Sequence, residues 1–316
     1  MRKKVIITGP TGAIGHALIE ECIRNQVEVY ALCHPGSKRI VGFPSNNLLH
    51  VICVDLSRLS DVKNVIPNDV DVFYHLGWVG TFGDARNNMH LQNRNVTYAL
   101  DAIELARCCG CHTFVGAGSQ AEYGRFEGKL RPDTPAFPES GYGMAKLCAG
   151  EMTRVQARKY GIKHIWARIL SVYGPYDGKD TMVMSTIIKL LYGEKTSFTK
   201  GEQIWDYLYA KDAGGILFAL GGEKSMDGKI YCLGSGLARP LKAYIEKIRD
   251  AINPSLSVGL GELPYAPEQV MYLCADNTDI IHDLGYEYRY SFEEGIKETV
   301  EWYKKEYNDE SLGIFS

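Results

Sequence analysis

The sequence predicts an α/β fold, a doubly wound parallel sheet followed by a smaller C-terminal α+β cap. A short apolar strand opens the chain and runs into a glycine-rich turn and a helix, over residues 5–18. Strand and helix patterns then alternate as far as residue 170. Beyond residue 175 this alternation stops, and helices separated by longer loops dominate. The first two observations predict the parallel sheet, and the third predicts the cap.

The first strand is predicted at residues 5–8, and glycines follow at three-residue spacing before a helical pattern begins. Gly9 lets the chain reverse, Gly12 lets backbone N–H groups approach a pyrophosphate, and Gly15 lets the helix pack closely on the strand. The positive end of the helix dipole would then face the phosphates. The candidate cofactor-binding residues of this turn are Gly9, Thr11, Gly12, Ala13, Ile14 and Gly15.

The later elements continue the same pattern. Strands are predicted over residues 27–32, 51–54, 70–76, 113–117, 165–170 and 229–233, and helices over 95–107, 143–159, 182–191, 210–220, 241–252 and 291–306. Connections of this length imply right-handed crossovers between parallel strands. We therefore expect a dinucleotide-binding domain over residues 1–172 with a return segment at about 205–235. Residues 173–204 and 236–316 would form the substrate-binding cap, closing over the carboxyl ends of the strands.

Composition narrows the class of protein. The chain has 316 residues, 45% apolar content and a formal charge of -3, which leaves no basic excess for binding nucleic acid. No apolar run is long enough for a membrane span and no signal peptide is recognisable, so a cytoplasmic protein without membrane association is expected. Its nine cysteines would then be reduced thiols. The Cys108-x-x-Cys111 pair lacks a second ligand pair, so no metal site is predicted.

Three side chains could carry acid–base chemistry. Tyr142 and Lys146 are four residues apart, so they share one face of the predicted helix. A nearby ammonium stabilises a phenolate, and lowering the tyrosine pKa by about three units corresponds to about 4 kcal/mol. Ser119, at the end of the fifth strand, could offer its hydroxyl to the same substrate oxygen. We take Ser119, Tyr142 and Lys146 as the candidate catalytic residues.

The order and spacing of these pieces resemble the extended short-chain dehydrogenases of the nucleotide-sugar epimerase and dehydratase family, whose core is a Rossmann sheet. The resemblance spans nearly the whole chain. It rests on TGPTGAIG at 8–15, VDL at 54–56, HLGW at 75–78, NV at 95–96, GSQAEYG at 118–124, YGMAK at 142–146, RILSVYGP at 168–175 and QIWDYLYAKDAG at 203–214.

The resemblance implies a role for each candidate. Tyr142 would exchange the proton, Lys146 would bind the nicotinamide ribose and lower the pKa of Tyr142, and Ser119 would hydrogen-bond the reacting oxygen. Asp55 would contact the adenine, with Asn95 and Leu76 along the cofactor. Further cofactor candidates are His34, Lys38, Arg39 and Leu56. The substrate-binding candidates are Thr81, Gln120, Ser171, Trp205 and Tyr207.

Several departures from the family pattern narrow the activity. Dehydratases carry Asp-Glu after the catalytic hydroxyl residue, where this chain has Gln120 and Ala121, although Glu122 is only one place away. An arginine that grips the substrate diphosphate is replaced by Trp205. The second expected arginine, near Pro267, is also missing.

The tail over residues 269–276 resembles CDP-paratose and CDP-abequose synthases, which reduce 4-keto sugars. We therefore expect a reductase of a 4-keto-6-deoxy-hexose nucleotide. A nucleotide-sugar 4-epimerase is the alternative, and a cofactor-sensing regulator without turnover is an alternative of another class. The regulator would be expected to lose Tyr142 or Lys146, and both are present.

Two further expectations concern cofactor and assembly. The second strand ends at Cys33 instead of an acidic residue, and His34, Lys38 and Arg39 follow. NADP(H) is therefore predicted over NAD(H), which stays possible. In the resembling family the two long helices pair across a two-fold axis, so a homodimer is expected.

Arg168, His75 and three C-terminal tyrosines are expected to have structural roles. Arg168 is read as a member of an ion pair, and His75 as a satisfied polar residue instead of a base. The tyrosines at 286, 288 and 290 alternate as in a strand and are read as packing residues.

Overall fold

The computed structural model describes residues 2–308, and its first half alternates strands and helices. In chain order the elements are β1 (Lys4–Thr8), α1 (Ala13–Arg24), β2 (Glu28–Cys33), β3 (Leu49–Cys53), β4 (Val72–His75), α2 (Met89–Cys108), β5 (Thr113–Ser119), α3 (Gly141–Tyr160) and β6 (Lys163–Ile169). Short 3₁₀ turns lie between several of them.

The second half contains shorter strands and more helix. Its elements are β7 (Ser171–Tyr173), α4 (Met182–Leu191), β8 (Ile204–Trp205), β9 (Tyr207–Tyr209), α5 (Ala210–Leu220), β10 (Ile230–Leu233), β11 (Arg239–Pro240), α6 (Leu241–Ile252), α7 (Thr278–Leu284) and α8 (Phe292–Asn308). Among residues 2–308, no helix has the length and apolar character needed to cross a bilayer.

Seven parallel strands form the main sheet, in the order β10, β6, β5, β4, β1, β2, β3. This order confirms the predicted doubly wound sheet. The chain leaves β1 toward one edge through β2 and β3, then crosses to β4 and continues toward the other edge. The strand order therefore reverses between β1 and β4, and the carboxyl ends of these two strands are where open α/β sheets bind ligands.

Each face of the sheet has its own apolar core. Successive side chains of a strand point to opposite faces, so Val5 and Ile7 of β1 join one cluster and Ile6 joins the other. The first cluster is completed by α1 and α5, for example through Leu18 and Leu217. The second is completed by residues of α2 and α3. The two cores fix the strand ends that carry the site.

The elements beyond β6 build a further core. Residues of α4, α6 and α8 pack together there, including Ile187, Ile248 and Ile296. Two small sheets accompany it, since β7 pairs with β9 in parallel and β8 pairs with β11 in antiparallel. The helix α7 belongs elsewhere: Ile280 and Leu284 are buried in the first cluster of the main sheet. Part of the segment assigned to the cap therefore packs on the sheet.

Two local expectations differ from the structure. The helix α2 begins at Met89 instead of residue 95, because the Asn88 side chain accepts a hydrogen bond from the N–H of Leu91 at 3.0 Å. Residues 286–290 form no strand. Their tyrosines pack as expected but also bond: the Tyr286 hydroxyl donates to Asp212 at 2.9 Å, and the Tyr288 hydroxyl donates to the Gly234 carbonyl at 2.8 Å.

Candidate active site

A cavity of about 640 Å³ opens where β1, β4 and β5 end, and it extends under the cap segments. Most of the predicted site residues line it. They are Gly9, Gly12, Ala13, Ile14, Gly15, Leu76, Thr81, Ser119, Gln120, Tyr142, Lys146, Ser171, Trp205 and Tyr207. The topology thus brings together residues from six separate stretches of the chain.

The turn from β1 to α1 forms one wall of the cavity. Gly9 has a φ of 67°, and a Cβ there would lie 2.7 Å from the backbone nitrogen of Gly77. A Cβ on Gly15 would lie 2.5 Å from the Gly9 carbonyl oxygen. Gly12 differs, because its Cβ would meet no atom within 4 Å, and no side chain caps the start of α1. Uncapped N–H groups beside open space suit the pyrophosphate of a dinucleotide.

Tyr142 stands in the first turn of α3, whose start is fixed by a hydrogen bond from the Gly143 N–H to the Ser140 hydroxyl at 3.1 Å. The guanidinium carbon of Arg86 lies 4.4 Å from the centre of the Tyr142 ring. Trp78 meets the ring edge-on, with centroids 6.1 Å apart. Burial raises the pKa of Tyr142, and a hydrogen bond with Ser119 together with the charge of Arg86 opposes that rise.

Lys146 is almost completely buried one turn later in the same helix. Its Nζ donates to the Ala117 carbonyl at 2.7 Å and lies 3.8 Å from the centre of the Trp78 ring. Burial lowers the pKa of Lys146 to about 7, and the charge of Glu122 acts in the opposite direction. Lys146 Nζ lies 5.7 Å from the centre of the Tyr142 ring, and the groups that oppose the rise in the pKa of Tyr142 are Ser119 and Arg86.

Glu122 is directed away from the cavity. Its carboxylate accepts hydrogen bonds from the Arg168 Nε at 2.7 Å, the Ser119 N–H at 2.8 Å and the Trp166 Nε1 at 3.0 Å. The ion pair with Arg168 is buried, with side-chain exposures of 0% and 4%. This confirms the interpretation of Arg168 as an ion-pair member. It also leaves Gln120 as the polar side chain that follows Ser119 in the cavity wall.

The residues predicted to meet the adenosine lie outside the cavity wall. Asp55 accepts a hydrogen bond from the Ser57 N–H at 2.9 Å and lies 3.4 Å from the His34 Nε2. Arg39 donates to the Tyr176 carbonyl at 2.9 Å. Hydrogen bonds with Ser57 hold the pKa of Asp55 below its usual range. Three of the polar groups expected around the adenosine are therefore engaged, Asp55 and His34 with each other and Arg39 with the Tyr176 carbonyl.

Four other cofactor candidates are also absent from the cavity wall. Asn95 is buried, and its amide donates to the Val79 carbonyl and accepts from the Val79 N–H, both at 2.9 Å. Through these two hydrogen bonds Asn95 holds the backbone of the loop after β4 in place. Leu56 lies near Gly77, where an added Cβ would be 3.0 Å from the Leu56 Cδ2. The remaining two are Thr11 and Lys38.

His75 ends β4 beneath the cavity. Its Nδ1 is hydrogen-bonded to the Thr8 hydroxyl at 2.9 Å, while no partner for its Nε2 is found in the described part of the chain. Burial, with Lys146 nearby, lowers the pKa of His75 to about 3. The interpretation of His75 as a satisfied polar residue therefore holds for Nδ1 only. Through its bond to Thr8, the neutral imidazole links β4 to β1.

Several cavity residues were missed at the level of sequence. They are Trp78 as a wall residue, Phe82, Arg86, Asp177 and Asp180. Asp177 accepts hydrogen bonds from the Gly178 N–H at 2.8 Å and the Thr181 hydroxyl at 2.9 Å, and burial raises its pKa to about 6. All five lie in loops after β4 and β7. Loops that follow strands often carry functional residues, so the position of these residues just after strands is the sequence signal that could have identified them.

No group of three or more His, Cys, Asp or Glu side chains with metal-binding geometry occurs in residues 2–308. All nine cysteines are free thiols, with Cys108 exposed and Cys111 buried. The ionisable and hydroxyl side chains of the cavity wall include those of Ser119, Tyr142, Lys146, Arg86, Asp177 and Asp180.

Comparisons with known proteins agree with this geometry. Residues 5–234 match the model of the NAD dependent epimerase/dehydratase family. YtcB of Bacillus subtilis, described as an uncharacterized UDP-glucose epimerase, is 26% identical over 78% of this chain and 81% of its own length.

Two solved structures have the same fold. The UDP-N-acetylglucosamine 4-epimerase of Methanobrevibacter ruminantium has a TM-score of 0.87 at 21% identity, covering 96% of this chain and 99% of its own. The UDP-glucuronic acid 4-epimerase of Bacillus cereus, solved with NAD, has a TM-score of 0.85 at 21% identity, covering 98% and 100%. Since the family model spans more than half of the sequence, the chain belongs to the NAD dependent epimerase/dehydratase family.

Proposed function

We propose that this protein transfers hydride at C4 of a nucleotide sugar, and that it reduces a 4-keto-6-deoxy-hexose nucleotide. The observation that carries the proposal is that Tyr142 and Ser119 line the cavity together, whereas Gln120 and Ala121 occupy the two positions after Ser119 where dehydratases carry Asp-Glu. Gln120 stands in the wall, and Glu122 is held by Arg168 and Trp166. Loss of water from a sugar requires an acid and a base at neighbouring carbons. Proton exchange at a single oxygen requires only Tyr142.

The wall around Gly9, Gly12 and the start of α1 would hold the dinucleotide, which supplies or accepts the hydride when bound. The Tyr142 hydroxyl would donate its proton to the substrate carbonyl oxygen as negative charge develops there. Ser119 would hydrogen-bond the same oxygen, and its place in the cavity wall with Tyr142 favours this arrangement. The Lys146 ammonium would bind ribose hydroxyls after exchanging its contact with the Ala117 carbonyl. Cap residues between 173 and 183, which line the cavity, would exclude water from the reacting atoms.

The substrate-binding proposal rests on the cap side of the cavity. Trp205, in the place of the family arginine, donates from Nε1 to the Ser171 hydroxyl at 2.8 Å. Tyr207 and Thr81 line the same space. Trp205 and Tyr207 offer aromatic surface and a hydroxyl group here, so the nucleotide would be held on this side by stacking and neutral hydrogen bonds.

A nucleotide-sugar 4-epimerase is the second candidate. The described activities of YtcB and of both solved structures favour it. An epimerase uses the same proton exchange at Tyr142, but the cofactor stays bound and the hydride returns to the opposite face of the sugar. The resemblance of residues 269–276 to 4-keto-sugar reductases favours the reductase.

For the cofactor we propose NADP(H) in preference to NAD(H), because no acidic residue ends β2 and the basic loop 34–39 follows it. The contacts of Arg39 with the Tyr176 carbonyl and of His34 with Asp55 weigh against this preference. A 2′-phosphate would have to displace both contacts. Parallel titrations with the two oxidised cofactors test it, and tighter binding of NAD⁺ would contradict it.

We also propose a homodimer formed through α2 and α3. Along α3 the exposed side chains Met144, Cys148, Met152 and Val155 recur every three or four residues. Their spacing places them on one face of the helix. A two-fold contact would bury this face against its own copy.

The function is tested with a panel of nucleotide sugars and their 4-keto forms, following the absorbance of the reduced nicotinamide and the sugar product together. A reductase consumes one reduced cofactor for each product, whereas an epimerase interconverts two sugars without net change in cofactor. A protein that binds cofactor and turns over nothing in a broad panel would be a regulator, and the proposal would then be rejected.

A further inference from the structure

The loop between β4 and α2 is attached to the start of α3 beside the Tyr142 ring. The Gly141 N–H donates to the Asn87 side chain at 3.0 Å. A Cβ on Gly141 would lie 3.1 Å from the Arg86 carbonyl oxygen, so glycine allows the loop backbone to approach this closely. The loop is therefore fixed to the helix that carries Tyr142, and Arg86 is fixed with it.

The Arg86 side chain lies over the face of that ring. Its Nη1 donates to the Thr81 carbonyl at 3.0 Å, and its guanidinium carbon is 4.4 Å from the ring centre. No ion pair joins Arg86 to a carboxylate anywhere in residues 2–308. A guanidinium carries its charge at every physiological pH, and a cation over an aromatic face within about 6 Å is attracted to it. The positive charge of Arg86 therefore faces Tyr142 without a competing anion paired to it.

Lys146, the other cation near Tyr142, is less well placed to act on it. Its Nζ is 5.7 Å from the ring centre and is directed to Ala117 and Trp78. The other groups that act on the ionisation of Tyr142 are Ser119 from β5 and, from outside the cavity, the Glu122 carboxylate of the turn that follows. Glu122 opposes ionisation of the phenol, and Ser119 and Arg86 favour it.

We propose that Arg86 is a positioning residue for Tyr142, whose stacked guanidinium stabilises the phenolate formed during proton exchange. The proposal rests on the proposed function of Tyr142 as acid and base. A phenolate spreads negative charge over its ring and oxygen, so the cation stabilises the ionised form more than the neutral one. An opposite charge within 4 to 6 Å shifts a pKa by about one to three units.

The test follows the ionisation of Tyr142 directly and needs no substrate. A fluorinated tyrosine is introduced at position 142 of the full chain by stop-codon suppression, and its fluorine NMR shift is titrated against pH. Difluorotyrosine ionises at lower pH than tyrosine, so the titration can be completed while the protein is folded. In Arg86→Met we expect the midpoint to rise by about one pH unit or more. Arg86→Lys, which keeps the charge, should lie between Arg86→Met and the parent.

Arg107→Met is the matched control, because Arg107 also lies over a tyrosine ring, that of Tyr160 at 5.2 Å, on the outer end of α2. In Arg107→Met the titration midpoint of the fluorinated tyrosine at position 142 should equal the parent value. Arg86→Gln is a second neutral variant that retains a donor for the Thr81 carbonyl. It replaces Arg86→Met if circular dichroism shows that Arg86→Met is unfolded.

An unchanged midpoint in a folded neutral variant would overturn the proposal. So would a variant that raises KM for the substrate without moving the midpoint, since Arg86 would then be a substrate ligand. Absence of turnover alone would count only against the proposed function.

Discussion

At the scale of single residues, burial acts in opposite directions on Tyr142 and Lys146. Removing water penalises the phenolate of one and the ammonium of the other, so the pKa of Tyr142 is raised and that of Lys146 is lowered to about 7. A neutral, protonated Tyr142 is the form required of an acid that protonates the carbonyl oxygen while hydride reduces the carbonyl. The same side chain serves as a base only when nearby positive charge stabilises it.

Replacing Tyr142 with Phe should remove the acid while leaving the ring and its packing on Trp78 and Arg86. Loss of a positioned general acid lowers the rate by about 10²- to 10⁴-fold. Steady-state turnover of the identified substrate measures this, and fluorescence titration should show nearly unchanged cofactor affinity. Full activity in Tyr142→Phe would remove Tyr142 from the mechanism.

Lys146 should make the free energy of unfolding depend on pH. Its pKa is about 7 in the folded chain and 10.5 for an unperturbed lysine, so the unfolded state binds more protons between these values. Stability therefore rises with pH through this window, by at most about 1.4 kcal/mol per unit, and the gain is lost as pH falls toward 7. Lys146→Met should remove this part of the slope in urea unfolding at about pH 7 and about pH 9. If the free energy of unfolding depended on pH equally in both proteins, the lowered pKa of Lys146 would be contradicted.

At the scale of elements, the turn between β1 and α1 gives two glycines different tasks. A Cβ on Gly15 meets the Gly9 carbonyl at 2.5 Å, and that backbone atom cannot move away without shifting the strand end. Gly15→Ala should therefore destabilise the fold by about 1 to 3 kcal/mol. Urea unfolding measures the loss.

Gly12→Ala is the matched comparison, because its Cβ meets no protein atom within 4 Å. Its stability should stay near the parent value, while its affinity for dinucleotide should fall, since the methyl group would occupy space left for the pyrophosphate. Equal destabilisation by both substitutions would show that Gly12 is a packing residue.

The elements also show what a sequence can predict. Glycine spacing identified the turn, and the four-residue interval of Tyr142 and Lys146 identified their shared helix face, because both signals are local. The first turns of α2 carry His90, Asn93 and Arg94, which hide the apolar period, and the seven-residue α7 has too few apolar positions to reveal one.

Arg86 escaped prediction for a different reason. Its contact with Tyr142 joins residues 56 positions apart, and it exists only because the loop after β4 crosses the strand ends. The direction of the Glu122 side chain was equally invisible, because it depends on Arg168 and Trp166 from β6.

At the scale of the whole molecule, the apolar face of α3 should control assembly. Met152→Glu would place a charge in the middle of the proposed two-fold contact and should convert the dimer to a monomer in sedimentation velocity at micromolar concentration. Met226→Glu is the control, since Met226 is similarly exposed, at 49% against 44% for Met152, and lies before β10, away from that helix. A monomeric parent protein, or dissociation by both substitutions, would contradict the proposed interface.

At this scale the carboxyl ends of β1, β4 and β5 and the segments beyond β6 meet around the cavity that Tyr142 lines. The most direct test of hydride transfer at C4 uses a 4-keto sugar nucleotide with reduced nicotinamide cofactor that carries deuterium at both hydrogen positions of its reactive carbon. NMR of the product should find deuterium on C4 of the sugar and nowhere else, and Tyr142→Phe should form that product far more slowly. Deuterium at another carbon, or product formed without deuterium, would contradict reduction at C4.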